Sequence, residues 1–438
     1  MQRVRSARER AAAVARVTSG NFLEMYDFMV YGYYAPSIGR AFFPTGSDVA
    51  TLLLSFATFG AGFLMRPVGA VVLGAYVDRH GRRAGLLLTL ALMAVGTLTI
   101  ACTPGYATIG VAAPLIVLAG RLLQGLSAGV ELGGVSVYLA EIATPGRAGF
   151  YVSWQSASQQ AAVITAGVLG YAIARSLGAE ALDRWGWRVP ILVGCAIVPF
   201  LLWVRRSLEE TDAFLAHARE RARKPGTREL LASLATSWKP IALGVAFVTM
   251  STVSFYVITA YTPTFGNSVL HLSKSESLAV TVCVGASNLF WLPVMGALSD
   301  RIGRRPILVG FTLLTILSSY AAMSWLVAAP SLSRMLLVEL WLSVLYGGYN
   351  GAMIVTLTEV MPSEVRTTGF SLAYSLATTL GGFTPAISTW LIDRLDNRAA
   401  PALWMSFSAL CGLVGTAMLL SRRRGYGASS RSGRSATT

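Results

Sequence analysis

The string GAYVDRHGRR occupies residues 74–83, and GALSDRIGRR occupies residues 296–305. Both fit the frame G-x-x-x-D-R-x-G-R-R, and both close a long apolar segment. Asp78 and Asp300 stand 222 positions apart, about half of the 438-residue chain. A second marker repeats at nearly the same offset. Glu141, Pro145 and Arg147 correspond to Glu359, Pro362 and Arg366, the glutamates 218 and the arginines 219 positions apart. Two independent markers with one offset indicate a duplicated helical bundle.

Composition says where such a bundle resides. The chain is 54% hydrophobic and 13% charged, against about 25% charged for ordinary soluble domains, and its mean hydropathy is +0.57. Apolar stretches of about 20 residues, each long enough to cross a bilayer, recur about twelve times. The first covers 18–39 and the last 402–421. The predicted fold is therefore an all-α membrane protein of twelve transmembrane helices. They form an N-terminal six-helix bundle over 18–205 and a C-terminal one over 240–421. Residues 206–239, including SLEETDAFLAHARERARKPGTRE, read as a polar linker. Residues 1–17 form a basic arm. It is no cleavable signal, because Glu24 and Asp27 interrupt the apolar segment that follows. Residues 422–438 are basic and poor in apolar side chains, which predicts a disordered tail.

The net charge of +15 is not spread as a nucleic-acid-binding face. With the N-terminus placed in the cytoplasm, 26 of the 36 Lys and Arg fall on the cytoplasmic side. Arg66 and Arg121 fall within spans. This positive-inside bias places both termini and the linker in the cytoplasm and argues against a nucleic-acid partner. Cys102, Cys195, Cys283 and Cys411 show no pairing or metal spacing. No nucleophile–base pair, metal cluster or phosphate loop appears, so an enzyme is disfavoured and neither a metal nor a cofactor is expected.

Three strings carry a family resemblance: SGNFLEMYDF (19–28), FGAGFLMRPVGAVVLGAYVDRHGRR (59–83) and GRLLQGLSAGVELGGVSVYLAEIATPGRAGFYVSWQSASQQ (120–160). They resemble the metabolite:proton symporter branch of the major facilitator superfamily. Within it they are most similar to bacterial citrate–proton symporters and tricarballylate transporters. The resemblance implies proton-coupled uptake of a small tricarboxylate, citrate or tricarballylate, by alternating access. It also implies a monomer in a bacterial inner membrane, with the proton as coupling ion. Alternatives within the branch are 2-oxoglutarate, shikimate, or a zwitterion such as proline or betaine. A non-transporting membrane sensor is the alternative from another class.

Ionisable groups at membrane depth are costly and mark candidate sites. Glu24, Asp27 and Tyr31 share one helical face. The two acids are candidate proton carriers, or fixed partners of a cation. Arg66 lies eight residues before Gly74, about 12 Å from the turn along a helix. It either grips a substrate carboxylate through a two-pronged contact or neutralises Asp27 or Glu24. Pro67 is expected to loosen the helix beside it. Arg121, Gln124 and Glu131 fall within an arc of about 80° on one helix, with Ser127 at its edge. Arg121 is the first candidate for binding a carboxylate, and Glu131 for carrying a proton or releasing Arg121. The Ser127 hydroxyl is expected to bond its own helix backbone.

Gln155 and Gln159, one turn apart with Ser158, either bind substrate or link helices. In the second half Tyr256, Asn288, Tyr346 and Asn350 are candidates to close the site, with Tyr261 and Tyr374 beside them. No histidine falls at membrane centre, so proton coupling falls to carboxylates. Asp78, Arg79, Arg82 and Arg83, with Asp300, Arg301, Arg304, Arg305, Glu141, Arg147, Glu359 and Arg366, are read as a gate. The resemblance implies that such turns latch one state through charges and helix-end dipoles.

Overall fold

A computed structural model describes residues 7–18, 20–80, 82–129, 131–206, 236–361 and 366–432, and every regular element among them is helical. Among the described residues, twelve long helical rods follow the short helix Ala7–Thr18. In the first half α1 is Gly20–Tyr33 continued by Ala35–Phe42, α2 is Asp48–His80 and α3 is Arg82–Cys102. Next, α4 is Ala112–Ala128 continued by Glu131–Ile142, α5 is Ala148–Ser176 and α6 is Arg188–Arg206. In the second half α7 is Trp238–Tyr256, prolonged by irregular turns to Val269, α8 is Lys274–Ile302 and α9 is Arg304–Ala328. Finally, α10 is Leu332–Val360, α11 is Arg366–Gly382 continued by Thr384–Leu395, and α12 is Pro401–Ser432.

Six of these helices are individually long and apolar enough to cross a membrane among the described residues: α2, α7, α8, α9, α10 and α12. The others are shorter, interrupted or more polar, as where α1 carries Glu24 and Asp27. Apolar side chains such as Leu64, Val72, Phe290 and Leu317 cover the outside, Leu317 being 76% exposed. That surface suits lipid rather than water.

Several boundaries differ from those read in the sequence. The basic arm contains a helix, Ala7–Thr18, just ahead of α1. The residues expected to form a disordered tail continue α12 as far as Ser432, since extending an existing helix needs no new nucleus. Most of the linker, 207–235, lies outside the described residues. So do the side chains of Asp78, Arg79, Arg82, Arg83, Glu131 and Arg366. Pro67 does not break α2, which runs through it. The fourth span is described as Ala112–Ala128 and Glu131–Ile142, and residue 130 between them lies outside the described residues.

The rods pack so that α5 and α8, one from each half, share the most extensive contact in the molecule, and α2 meets α11 in the same way. Within the first half, Gly62 and Gly69 of α2 press directly on the backbone of α4 at Gly125 and Leu126. Small residues allow this approach in a membrane protein. It fixes Arg66 and Arg121 in depth and in rotation, because both sit on the abutting helices.

Pro263 interrupts α7. It lacks an N–H and crowds the carbonyl four residues back. The chain answers with wide turns at Val257–Tyr261 and Phe265–Val269 on either side of Thr262–Thr264. By contrast α8 starts cleanly, with Ser273 and Glu276 forming a reciprocal capping box.

Candidate functional site

Arg66 and Arg121 are both buried in an aromatic box. The Arg66 guanidinium lies 4.9 Å from the Phe28 ring centre and 4.5 Å from Phe63. That of Arg121 lies 4.5 Å from Phe28, 4.5 Å from Tyr31 and 5.1 Å from Phe59. Ring faces attract cations, more so away from water. The second half closes this box with Tyr256 of α7, whose ring centre is 5.3 Å from Phe63 and 5.9 Å from Phe59.

The pairing left open in the sequence is resolved. Arg66 Nη2 donates to Glu24 Oε1 at 2.7 Å, in a pair with side-chain exposures of 2% and 6%. Arg66 therefore neutralises Glu24 and not Asp27. Asp27 belongs to a different network. It accepts from Thr97 Oγ1 at 2.9 Å and from Gln124 Nε2. Gln124 in turn accepts from Arg121 Nη1 at 2.7 Å. The amide thus stands between the acid and the guanidinium, presenting its oxygen to the cation and its nitrogen to the anion.

Arg121 Nη2 has only a long contact, 3.4 Å, to the Phe59 carbonyl. The Nε of each arginine is buried without a hydrogen-bond partner. Buried donors left unpaired are rare and costly. Asp27, Tyr31, Arg121 and Gln124, with Ile100 and Ile191, line a narrow crevice too tight to admit a water molecule.

Other expected site residues divide into those brought together and those kept apart. Tyr31 joins the box through its ring, and its hydroxyl is 3.4 Å from the Ser55 carbonyl. Ser127 bonds the Gln124 carbonyl of its own helix at 2.8 Å. Gln155 is buried with its amide nitrogen unpaired, and Gln159 is buried nearby on the same helix. The amide that crosses between halves is the next residue, Gln160, whose oxygen accepts from Asn288 at 3.2 Å. Asn288 also accepts from Ser343 at 2.7 Å. Asn350 binds Ser251 at 2.6 Å and the Tyr346 hydroxyl at 3.1 Å, and Tyr346 in turn contacts Ser156 of α5 in the first half.

Sequence reasoning missed Thr97, Gln160 and the rings of Phe28, Phe59 and Phe63. Only Gln160 carried a signal, as a third amide beside the two named. A threonine or phenylalanine in an apolar segment looks like packing.

The second copy of the repeated turn supplies most of the described gate. Gly303 has φ 92°, a conformation that side chains strain, which explains the glycine in the frame. Asp300 accepts from the backbone N–H groups of Gly149 at 2.8 Å and Phe150 at 3.0 Å. A carboxylate of the second half thereby caps the start of α5 in the first, where the helix dipole favours negative charge. Arg304 holds Asp300 at 2.7 Å and Glu359 at 3.2 Å. Arg301, Arg305, Glu141 and Arg147 are exposed and make no ion pair among the described residues. Their long charged side chains gain little from pairing in water.

Twelve rods in two halves, with buried charge between them, define a carrier of the alternating-access type. The chain belongs to the major facilitator superfamily, whose family description matches residues 17–384 and 277–437. It is 58% identical over 416 residues to a citrate-proton symporter of Salmonella typhi, covering 94% of this chain and 95% of that one. It is 56% identical over 414 residues to a citrate-proton symporter of Klebsiella pneumoniae, covering 94% and 92%. Its fold matches the crystal structure of a D-xylose-proton symporter with a TM-score of 0.72 at 21% identity, over 95% of this chain and 97% of that one.

Proposed function

We propose that this chain carries citrate, or the similar tricarboxylate tricarballylate, across a bacterial inner membrane together with protons. It is a transporter and not an enzyme, and it works as a monomer with both termini in the cytoplasm. Residues 18–205 and 240–421 are the two rocking bundles and 206–239 the linker. The relatives named above support the choice of substrate. The observation that carries the site is the pair of buried guanidinium groups, each with an unpaired Nε–H, beside the surface where the halves meet.

Arg121 is the principal carboxylate anchor. Arg66 is already committed to Glu24 and contributes its remaining donor. Arg121 reaches Asp27 only through Gln124. A substrate carboxylate that draws Arg121 away takes Gln124 with it and leaves Asp27 with Thr97 alone. Loss of that donor favours protonation of Asp27, because hydrogen bonds to the charged form are what hold it charged. Substrate and proton then bind together. Glu131 is a further candidate for the proton path. Gln155, Gln159, Tyr256, Asn288, Tyr346 and Asn350 line the path along which the halves separate.

Binding of labelled citrate to purified protein tests this reading. Hydrogen bonds to charged groups contribute about 1.5–3 kcal/mol each. Arg121→Ala is therefore expected to weaken citrate binding at least about tenfold. Unchanged affinity in Arg121→Ala would remove Arg121 from the site.

A further inference from the structure

An acid in the second half escaped the sequence reading. Glu339 of α10 is 2% exposed, and its Oε2 has no hydrogen-bond partner. Its hydrogen-bond partner among the described residues is Thr262, in the irregular part of α7. Titratable groups on α10 and the elements packed on it include Tyr151, Tyr171 and Arg175 of α5, Lys239, Tyr256 and Tyr261 of α7, Lys274, Glu276, Cys283, Asp300 and Arg301 of α8, Arg304, Arg305 and Tyr320 of α9, and Arg334, Tyr346, Tyr349 and Glu359 of α10 itself. None of them pairs with Glu339. Lys274 points to the first half instead, its ammonium 4.5 Å from the Tyr34 ring and 3.5 Å from Ser37 Oγ.

Burial without a compensating charge decides what Glu339 holds. Thr262 Oγ1 lies 3.1 Å from the Val257 carbonyl oxygen and 3.2 Å from Glu339 Oε1. A hydroxyl carries one hydrogen, which these two acceptors share. An ionised Glu339 would be a bare charge in an apolar interior, with half a hydrogen bond and no cation beside it, so burial favours the neutral acid.

The same stretch of α7 closes the end of the molecule opposite the repeated turns. Ala260 lies against Gly32 of α1, close enough that a Cβ there would meet it at 3.1 Å. The Tyr261 ring packs on Phe56 of α2 at 5.9 Å. Parting of α7 from α1 and α2 also withdraws Thr262 and admits water to Glu339.

We propose that Glu339 is a second proton-binding site, loaded in the closed state and opened to water when the outer part of α7 moves. Its role in transport rests on the symport reading above, but its protonation does not. Infrared difference spectroscopy of wild type against Glu339→Gln reads the proton without substrate. The expected result is a protonated-carboxyl band at neutral pH in wild type that is missing in the variant. A second variant, Thr262→Val, is expected to shift that band by removing the hydroxyl beside the acid, which keeps the test open if Glu339→Gln folds poorly. In liposomes with a pH difference of about one unit, each coupled proton is worth about tenfold in accumulation. Glu339→Gln is expected to keep citrate exchange and lose about tenfold in accumulation. Absence of the band overturns the proposal. A band with unchanged accumulation overturns its coupling role. Failure of wild type to move citrate overturns the substrate reading and leaves the infrared result standing.

Discussion

Glu24 and Arg66 form a buried pair, and removing one partner leaves the other as an uncompensated charge, a loss of about 3–5 kcal/mol. Arg66→Met alone is expected to lower the melting temperature markedly. Glu24→Gln with Arg66→Met is expected to recover most of that loss, because no bare charge remains. Calorimetry of both variants checks this, and a double variant as unstable as the single one would mean that the pair is not the reason for burial. The sequence flagged Glu24, Asp27, Arg66, Arg121 and Gln124 through the cost of polarity in apolar segments. It left undecided which acid meets which arginine. Helical periodicity fixes the face a residue occupies but not the rotation of one helix against another. That rotation comes from the backbone contact of Gly62 and Gly69 with α4. Glu339 shows the opposite failing: the signal was present, as the one acid in the apolar stretch between residues 335 and 357.

At the scale of elements, the repeated turn joins α8 to α9 and reaches across to α5. Gly149 and Gly296 touch through their backbones, and a Cβ on Gly296 would meet Ser153 at 2.9 Å. Gly296→Val is expected to hold the turn-bearing ends apart. A cysteine placed at the buried Ser153, in a chain whose four native cysteines are replaced, should then react with a soluble thiol reagent, and uptake should be lost. Continued protection of that cysteine would show that the halves close without this contact. Asp300→Asn keeps the shape but weakens a charge-to-dipole contact of about 0.3–1 kcal/mol, up to about 2 when partly buried. It is expected to raise labelling at the same position by a smaller factor. Long apolar helices such as α9 and α10 were legible from composition alone. The wide turns of α7 were not, because they answer to packing and to Pro263 more than to local propensity.

For the whole molecule, the halves touch towards both ends among the described residues. Asp300 joins the halves at one end, Gly32 and Ala260 meet towards the other, and the Thr379 hydroxyl donates to the Phe63 carbonyl at 2.9 Å between α11 and α2. The duplication explains why closure takes a similar form on both sides of the molecular axis. The charged site does not follow the duplication: Glu24, Asp27, Arg66 and Arg121 belong to the first half alone, which leaves the second to supply Tyr256 as a cover. Uptake of labelled citrate into liposomes under an inward proton gradient tests the account most directly. Wild type is expected to accumulate citrate above equilibrium, whereas Asp27→Asn exchanges citrate across the membrane without accumulating it. Accumulation by Asp27→Asn at the wild-type level, or none by wild type, contradicts the account.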